Sequence, residues 1–125
     1  MRVLVIEDSA TALQMVVALL RSAGCLAATA TNGKRANELI GAEAFDLILT
    51  DMELPDASGI EIARLVRASQ GPNRFAAIVG LTATVTHELH LESRQAGMIT
   101  LLPKPLRRPD FDRIVQLLAP KHSSF

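Results

Sequence analysis

Val3-Leu4-Val5-Ile6 is a short apolar run that ends abruptly in Glu7-Asp8. Three later runs end the same way. Leu47-Ile48-Leu49-Thr50 stops at Asp51, Ile78-Val79-Gly80-Leu81 at Thr82, and Ile99-Thr100-Leu101-Leu102 at Pro103-Lys104-Pro105. Runs this short, with little polar alternation, read as strands covered on both faces. If they are parallel strands of one sheet, their C-terminal ends share an edge. Ligands of open α/β sheets bind at that edge, where strand order reverses.

Around these runs the chain alternates regularly. Strands are expected over 3–6, 25–30, 45–50, 76–81 and 98–102. The second is rich in alanine, has low β propensity and belongs near an edge of the sheet. Between the strands lie amphipathic stretches. Leu13, Val16, Val17 and Leu20 mark one helix face, and Ala36, Leu39 and Ile40 another. Ile62, Leu65 and Val66 mark a third, and Phe111, Ile114, Val115 and Leu118 the last. The stretch 85–96 carries only the thin stripe Val85, Leu89 and Ala96, and should be the least firmly packed helix. Ser58-Gly59-Ile60-Glu61 fits a capping box, Gly24 and Gly97 sit at helix stops, and Pro109 suits a first helical turn. Gln70-Gly71-Pro72-Asn73 reads as a loop.

Five strands alternating with helices imply an α/β fold: a doubly wound parallel sheet of order 2-1-3-4-5, with five helices on both faces. In that order strands one and three are neighbours at the reversal point, so Glu7-Asp8 lies beside Asp51. The 125 residues suit one domain, expected over 1–119, with 120–125 as a tail. A formal net charge of zero argues against general binding to nucleic acid or membrane surfaces, and Arg107-Arg108 is too short to change this. The lone Cys25 allows no internal disulfide, reads as a small buried hydrophobe and is compatible with a reducing compartment. No apolar stretch approaches the ~20 residues needed to span a bilayer, and the N-terminus lacks the pattern of a signal peptide. A cytoplasmic protein is expected.

The chemistry follows from the shared edge. Alone, Asp51 could end a strand, Asp8-Ser9 could cap a helix, and Lys104 could be solvated. Together, three carboxylates would repel by up to about 4 kcal/mol per pair at an effective dielectric near 20. A cation among them removes that repulsion. Oxygen ligands favour Mg²⁺ and disfavour zinc. A carboxylate can attack phosphorus and form an aspartyl phosphate. The Lys104 ammonium can neutralise the transferring group, and the Thr82 hydroxyl can donate to it. His87 and His90 stand three apart, but two solvated helix histidines are the simpler reading.

The stretches Val3-Leu4-Val5-Ile6-Glu7-Asp8, Asp51-Met52-Glu53-Leu54-Pro55-Asp56-Ala57-Ser58-Gly59, Leu81-Thr82-Ala83 and Lys104-Pro105 resemble the receiver domain of two-component response regulators, the CheY-like family of flavodoxin-like fold. The resemblance covers nearly the whole chain. It implies Asp51 as phosphoacceptor, and Asp8 and Asp51 as carboxylate ligands of Mg²⁺. Glu7 would act through water and Glu53 through its backbone carbonyl, while Thr82 and Lys104 would contact the phosphoryl group. It also implies a cis Lys104-Pro105 bond. A histidine kinase or histidine phosphotransfer protein would be the donor, and an effector protein or domain the downstream partner. The domain would assist only its own phosphorylation and dephosphorylation. Leu81-Thr82-Ala83, Ala96-Gly97-Met98 and Leu102-Pro103-Lys104-Pro105-Leu106 further resemble receivers attached to hybrid histidine kinases, whereas Met1-Arg2 before the first strand suits a natural N-terminus.

Two departures stand out. Receivers often carry an aromatic three residues before the motif lysine, where this chain has Leu101. Glu53 stands two residues after the phosphoacceptor, beside the place of the phosphoryl group. A haloacid dehalogenase-like phosphatase is the rival reading, but it needs Asp where Glu53 stands and an acidic pair after the lysine. A phosphate-independent docking module is a third possibility, disfavoured by the complete set of residues.

Overall fold

The computed structural model describes residues 1–119; the expected tail, 120–125, lies outside the described residues. Five strands, β1 (Arg2–Ile6), β2 (Leu26–Ala30), β3 (Leu47–Asp51), β4 (Ala77–Thr82) and β5 (Thr100–Pro103), alternate with α1 (Ala10–Ser22), α2 (Gly33–Ala42), α3 (Gly59–Ala68), α4 (His87–Gln95) and α5 (Arg108–Leu118). The sheet is parallel throughout, in the order β2-β1-β3-β4-β5. This is the topology expected from the sequence, with β2 at an edge.

Side-chain alternation divides the core between the two faces of the sheet. Leu4, Ile6, Ile48 and Ile78 pack with Ala36, Leu39 and Ile40 of α2, Ile62, Ala63 and Val66 of α3, and Ala96 after α4. Val3, Val5, Leu47, Leu49, Val79 and Leu81 pack on the other face with Val16 and Leu20 of α1 and Phe111 and Ile114 of α5. The strand runs look uniformly apolar because both faces are covered. Deleting the Ile48 side chain to Ala at this fully buried position should cost about 2–5 kcal/mol.

Helix ends follow the expected chemistry. Ser9, Asn32, Ser58 and Thr86 are N-caps whose side chains accept from the amides of Ala12, Arg35, Glu61 and Leu89. Gly24 and Gly97 close helices with φ of 80° and 100°, a region open to glycine. Pro109 lies in the first turn of α5. The Lys104-Pro105 bond is cis, as expected.

Several local expectations need correction. β5 begins at Thr100 rather than 98, because the turn at Gly97 still occupies the chain there. β3 begins at Leu47, although Phe45 before it is buried. Leu65 points away from the core and is 51% exposed; Ile60 and Ala63 complete the buried stripe of α3 instead. Val85 precedes α4 and is 44% exposed, so the stripe on α4 is thinner still. Ser93 is the one buried residue within α4, its hydroxyl donating to the Leu89 carbonyl at 2.7 Å. Cys25 is half-buried and lies just before β2.

Candidate functional site

The strand registers explain why distant residues meet. Ile6 pairs with Thr50, so Glu7 and Asp51 stand side by side one step further on. Asp51 pairs with Leu81, and Thr82 with Pro103, which sets Thr82 and Lys104 at the same edge. Asp8 follows β1 and is exposed, and Ser9 after it caps α1.

The Lys104 ammonium is the centre of the polar cluster. Its Nζ lies 2.8 Å from Asp51 Oδ2 and 3.0 Å from Glu7 Oε1. Glu7 and Asp51 are both buried, at 5% and 6% exposure. The other oxygen of Asp51, Oδ1, accepts the backbone N–H of Glu53 at 3.0 Å. Burial and the neighbouring Asp51 push the Glu7 carboxyl above its ordinary range, against the pull of Lys104. Burial also opposes ionisation of Asp51, but hydrogen bonds with Glu7, Lys104 and the Glu53 amide outweigh it and hold this carboxyl below its ordinary range. Burial weakens the Lys104 ammonium, yet its bonds to Asp51 and Glu7 prevail and raise its pKa. Asp51 thus has one oxygen held by the backbone and the other by an ammonium.

Glu7, Asp8 and Asp51 each offer a carboxylate oxygen within 4.8 Å of the others, and they are the one such group of potential metal ligands among the described residues. His87 and His90 belong to no such group among those residues. A cleft of about 370 Å³ opens in front of the acids, lined by Asp8, Asp51, Glu53, Thr82, Ala83, Thr84, Leu89 and Lys104. An all-oxygen donor set in an open cleft fits Mg²⁺, which keeps several waters and takes few carboxylates. All six residues singled out in the sequence therefore belong to one edge. Thr82 alone is turned aside: its hydroxyl donates to the Thr84 carbonyl and accepts from the Thr84 amide, both at 3.3 Å.

Matching the chain against protein families identifies the response regulator receiver domain over residues 3–116. The chain belongs to this family. A response regulator receiver protein of Anaeromyxobacter is 34% identical over 109 residues, which cover 86% of this chain and 44% of that protein. Among solved structures, the chemotaxis response regulator CheY4 of Vibrio cholerae superposes with a TM-score of 0.85 at 30% identity, covering 94% of this chain and 98% of that one. The receiver domain of the sensor histidine kinase PA1611 from Pseudomonas aeruginosa, solved with a magnesium ion in its active-site cleft, superposes with a TM-score of 0.84 at 31% identity, covering 94% and 95%. The chain spans less than half the length of the curated relatives it matches, from 7% to 44%. It is a receiver domain of two-component signalling, a class of phosphoacceptor switches. No described helix is long and apolar enough to cross a membrane.

Two residues important to the site's framework were not singled out by sequence reasoning. Asp56 reaches from the loop after β3 to the start of α2, where its carboxylate accepts from Gly33 N at 2.7 Å and Lys34 N at 3.0 Å. Arg67 of α3 spans to the turn after α4 by donating to the Gly97 carbonyl at 2.7 and 3.2 Å. Both contacts are with backbone atoms far along the chain, so no motif announces them.

Proposed function

We propose that Asp51 is the phosphoacceptor, receiving its phosphoryl group from the phosphohistidine of a histidine kinase or histidine phosphotransfer protein. The observation that carries this is the setting of Asp51: a buried carboxylate 2.8 Å from the Lys104 ammonium, at the mouth of a cleft lined by acids and a hydroxyl. An Asp51 oxygen attacks phosphorus, the P–O bond forms as the P–N bond of the donor breaks, and the imidazole departs with the bond's electron pair. Lys104 offers its charge to the transferring oxygens.

Asp8 and Asp51, with the Glu53 carbonyl, would hold Mg²⁺, and Glu7 would act through water. Bound there, the ion would offset the charge of the acids and of the transferring phosphoryl group. The chain's own residues position that group and receive it; they assist the domain's own phosphorylation and dephosphorylation rather than turnover of an external substrate. Glu53 in place of the Asp that a haloacid dehalogenase-like phosphatase requires supports this reading over hydrolysis.

Modification adds about −1.5 to −2 units of charge. The Thr82 hydroxyl, held only by two long bonds to Thr84, can exchange them for a charge-assisted bond to a phosphoryl oxygen. Leu101 is 4% exposed and already packed inside, so no side chain at this position has to turn inward. The response is therefore carried by backbone and helix shifts at the β4–α4 segment, whose changed face meets an effector protein or domain. Acetyl phosphate with Mg²⁺ should label the wild type once and leave Asp51→Asn unlabelled. Full labelling of Asp51→Asn on another residue overturns the assignment.

A further inference from the structure

We propose that Asp56 is a positioning residue for Mg²⁺ binding, fixing the loop whose near end presents the Glu53 carbonyl by seating its far end on α2. The proposal rests on the reading of that carbonyl as a metal ligand.

The loop between β3 and α3 is closed on itself. Glu53 and Ser58 form an isolated antiparallel bridge, and the Leu54 amide donates to the Ala57 carbonyl at 3.0 Å. The Gly59 amide donates to the Met52 carbonyl at 3.0 Å, which ties the loop's end to its beginning. A turn closed in this way moves largely as one piece, so an anchor at Asp56 is felt at Glu53.

The anchor is specific. A helix starts with four amides that have no partner within the helix. In α2 three of these are met by side chains: that of Asn32 takes Arg35 N at 2.8 Å, and Asp56 takes the amides of Gly33 and Lys34, while the Ala36 amide already makes the first regular helical bond, to the Asn32 carbonyl. The helix has no acid of its own in its first turn, so the carboxylate facing its positive end comes from the loop. Packing agrees: a Cβ on Gly33 would lie 3.0 Å from Ala57 Cβ and 3.1 Å from Asp56 Oδ1. Glycine at 33 lets the loop sit directly on the helix start.

The comparison of Asp56→Ala with Asp56→Asn tests this, because both lose the same charge and only Asn keeps an acceptor for an α2 amide. Mg²⁺ affinity is measured by calorimetry at constant pH and salt on the unphosphorylated protein, with circular dichroism to confirm folding and Asp8→Ala as the ligand control. Groups bonded directly to metal ligands carry 10–100-fold in affinity; Asp56 acts on the Glu53 carbonyl only through the loop, so a loss at the lower end, about tenfold, is expected in Asp56→Ala. Asp56→Asn should recover most of that loss, and Asp8→Ala should bind no Mg²⁺. Equal losses in the Asn and Ala variants would mean a charge effect alone and overturn the proposal. Wild-type affinity in Asp56→Ala, with binding lost in Asp8→Ala, overturns it while leaving the metal site intact. Wild-type affinity in both overturns the proposal together with the metal reading beneath it.

Discussion

Replacing Arg67 with Met should cost this domain a large part of its stability and loosen the turn after α4. The guanidinium of Arg67 donates to the Gly97 carbonyl through Nε and Nη2, to the Ala76 carbonyl at 2.7 Å and to the Arg74 carbonyl at 3.0 Å. Burial lowers the pKa of the group, and no carboxylate pairs with it among the described residues. Its charge is balanced by carbonyl dipoles alone. Hydrogen bonds to charged groups contribute about 1.5–3 kcal/mol each. Arg67 is only half-buried, so water will replace part of that, and a net loss of about 2–4 kcal/mol is expected. Domains are stable by only about 5–15 kcal/mol, so the loss is a substantial fraction. Methionine keeps a stem over Gly97, where a Cβ would come within 2.7 Å of Arg67 Cγ, and removes the donors alone. Urea titration should show the midpoint falling by about 1–2 M with an unchanged slope. Amide hydrogen exchange should quicken first at Gly97, Met98 and Ile99. A loss below about 1 kcal/mol, with those amides still protected, would refute the idea that this clamp holds α3, β4 and the end of α4 together.

Lys104→Gln should raise Mg²⁺ affinity about tenfold in calorimetry, because the ammonium 2.8 Å from Asp51 competes with the ion, while phosphorylation by acetyl phosphate slows. Unchanged affinity would remove Lys104 from the electrostatics of the site. Asp56 is held below its ordinary carboxyl pKa by the Gly33 and Lys34 amides, so its contribution is present above the unfolded value near about pH 3.9 and is lost as pH falls through the lower folded value. The stability gap between wild type and Asp56→Asn should therefore be constant near neutrality and close in acid; a gap that widens in acid contradicts the sign. With beryllofluoride as phosphoryl mimic, the largest backbone NMR shifts beyond the site should fall in residues 82–96, and a silent segment there with a responding α1 or α2 would move the output surface elsewhere.

The fold was readable because its signals are local and mutually consistent. Apolar runs covered on both faces, caps at Ser9 and Ser58, and glycines at 24 and 97 all point to the same alternation. Periodicity misled at Leu65 and Val85. A helical stripe says which residues share a face, but Leu65 sits at the border of the α3 stripe and Val85 precedes its helix. Asn73 shows another kind of gap. It reads as an ordinary loop residue, yet it is fully buried, accepts from the Phe45 amide at 2.8 Å and donates to the Ile40 and Glu43 carbonyls. Three backbone groups that no strand or helix satisfies are paired by one side chain, and only the packed chain reveals which ones they are.

The site separates in the same way. Residues at strand ends were legible because a parallel sheet converts sequence position into one edge, and register does the rest: Ile6 opposite Thr50 is enough to put Glu7 against Asp51. Residues that hold the site from behind were not, because Asp56 and Arg67 bind backbone amides and carbonyls, which every residue possesses. Those two contacts also divide the molecule unequally. Asp56 fixes the loop on the α2 side of Asp51, and Arg67 fixes the C-terminal end of α4. The N-terminal end of α4 has neither, with Val85 exposed, Thr82 held by two long bonds and no buried residue before Ser93. A charge placed on Asp51 therefore meets a braced loop on one side and a loosely held helix start on the other, and the free-energy cost of movement is lowest toward α4.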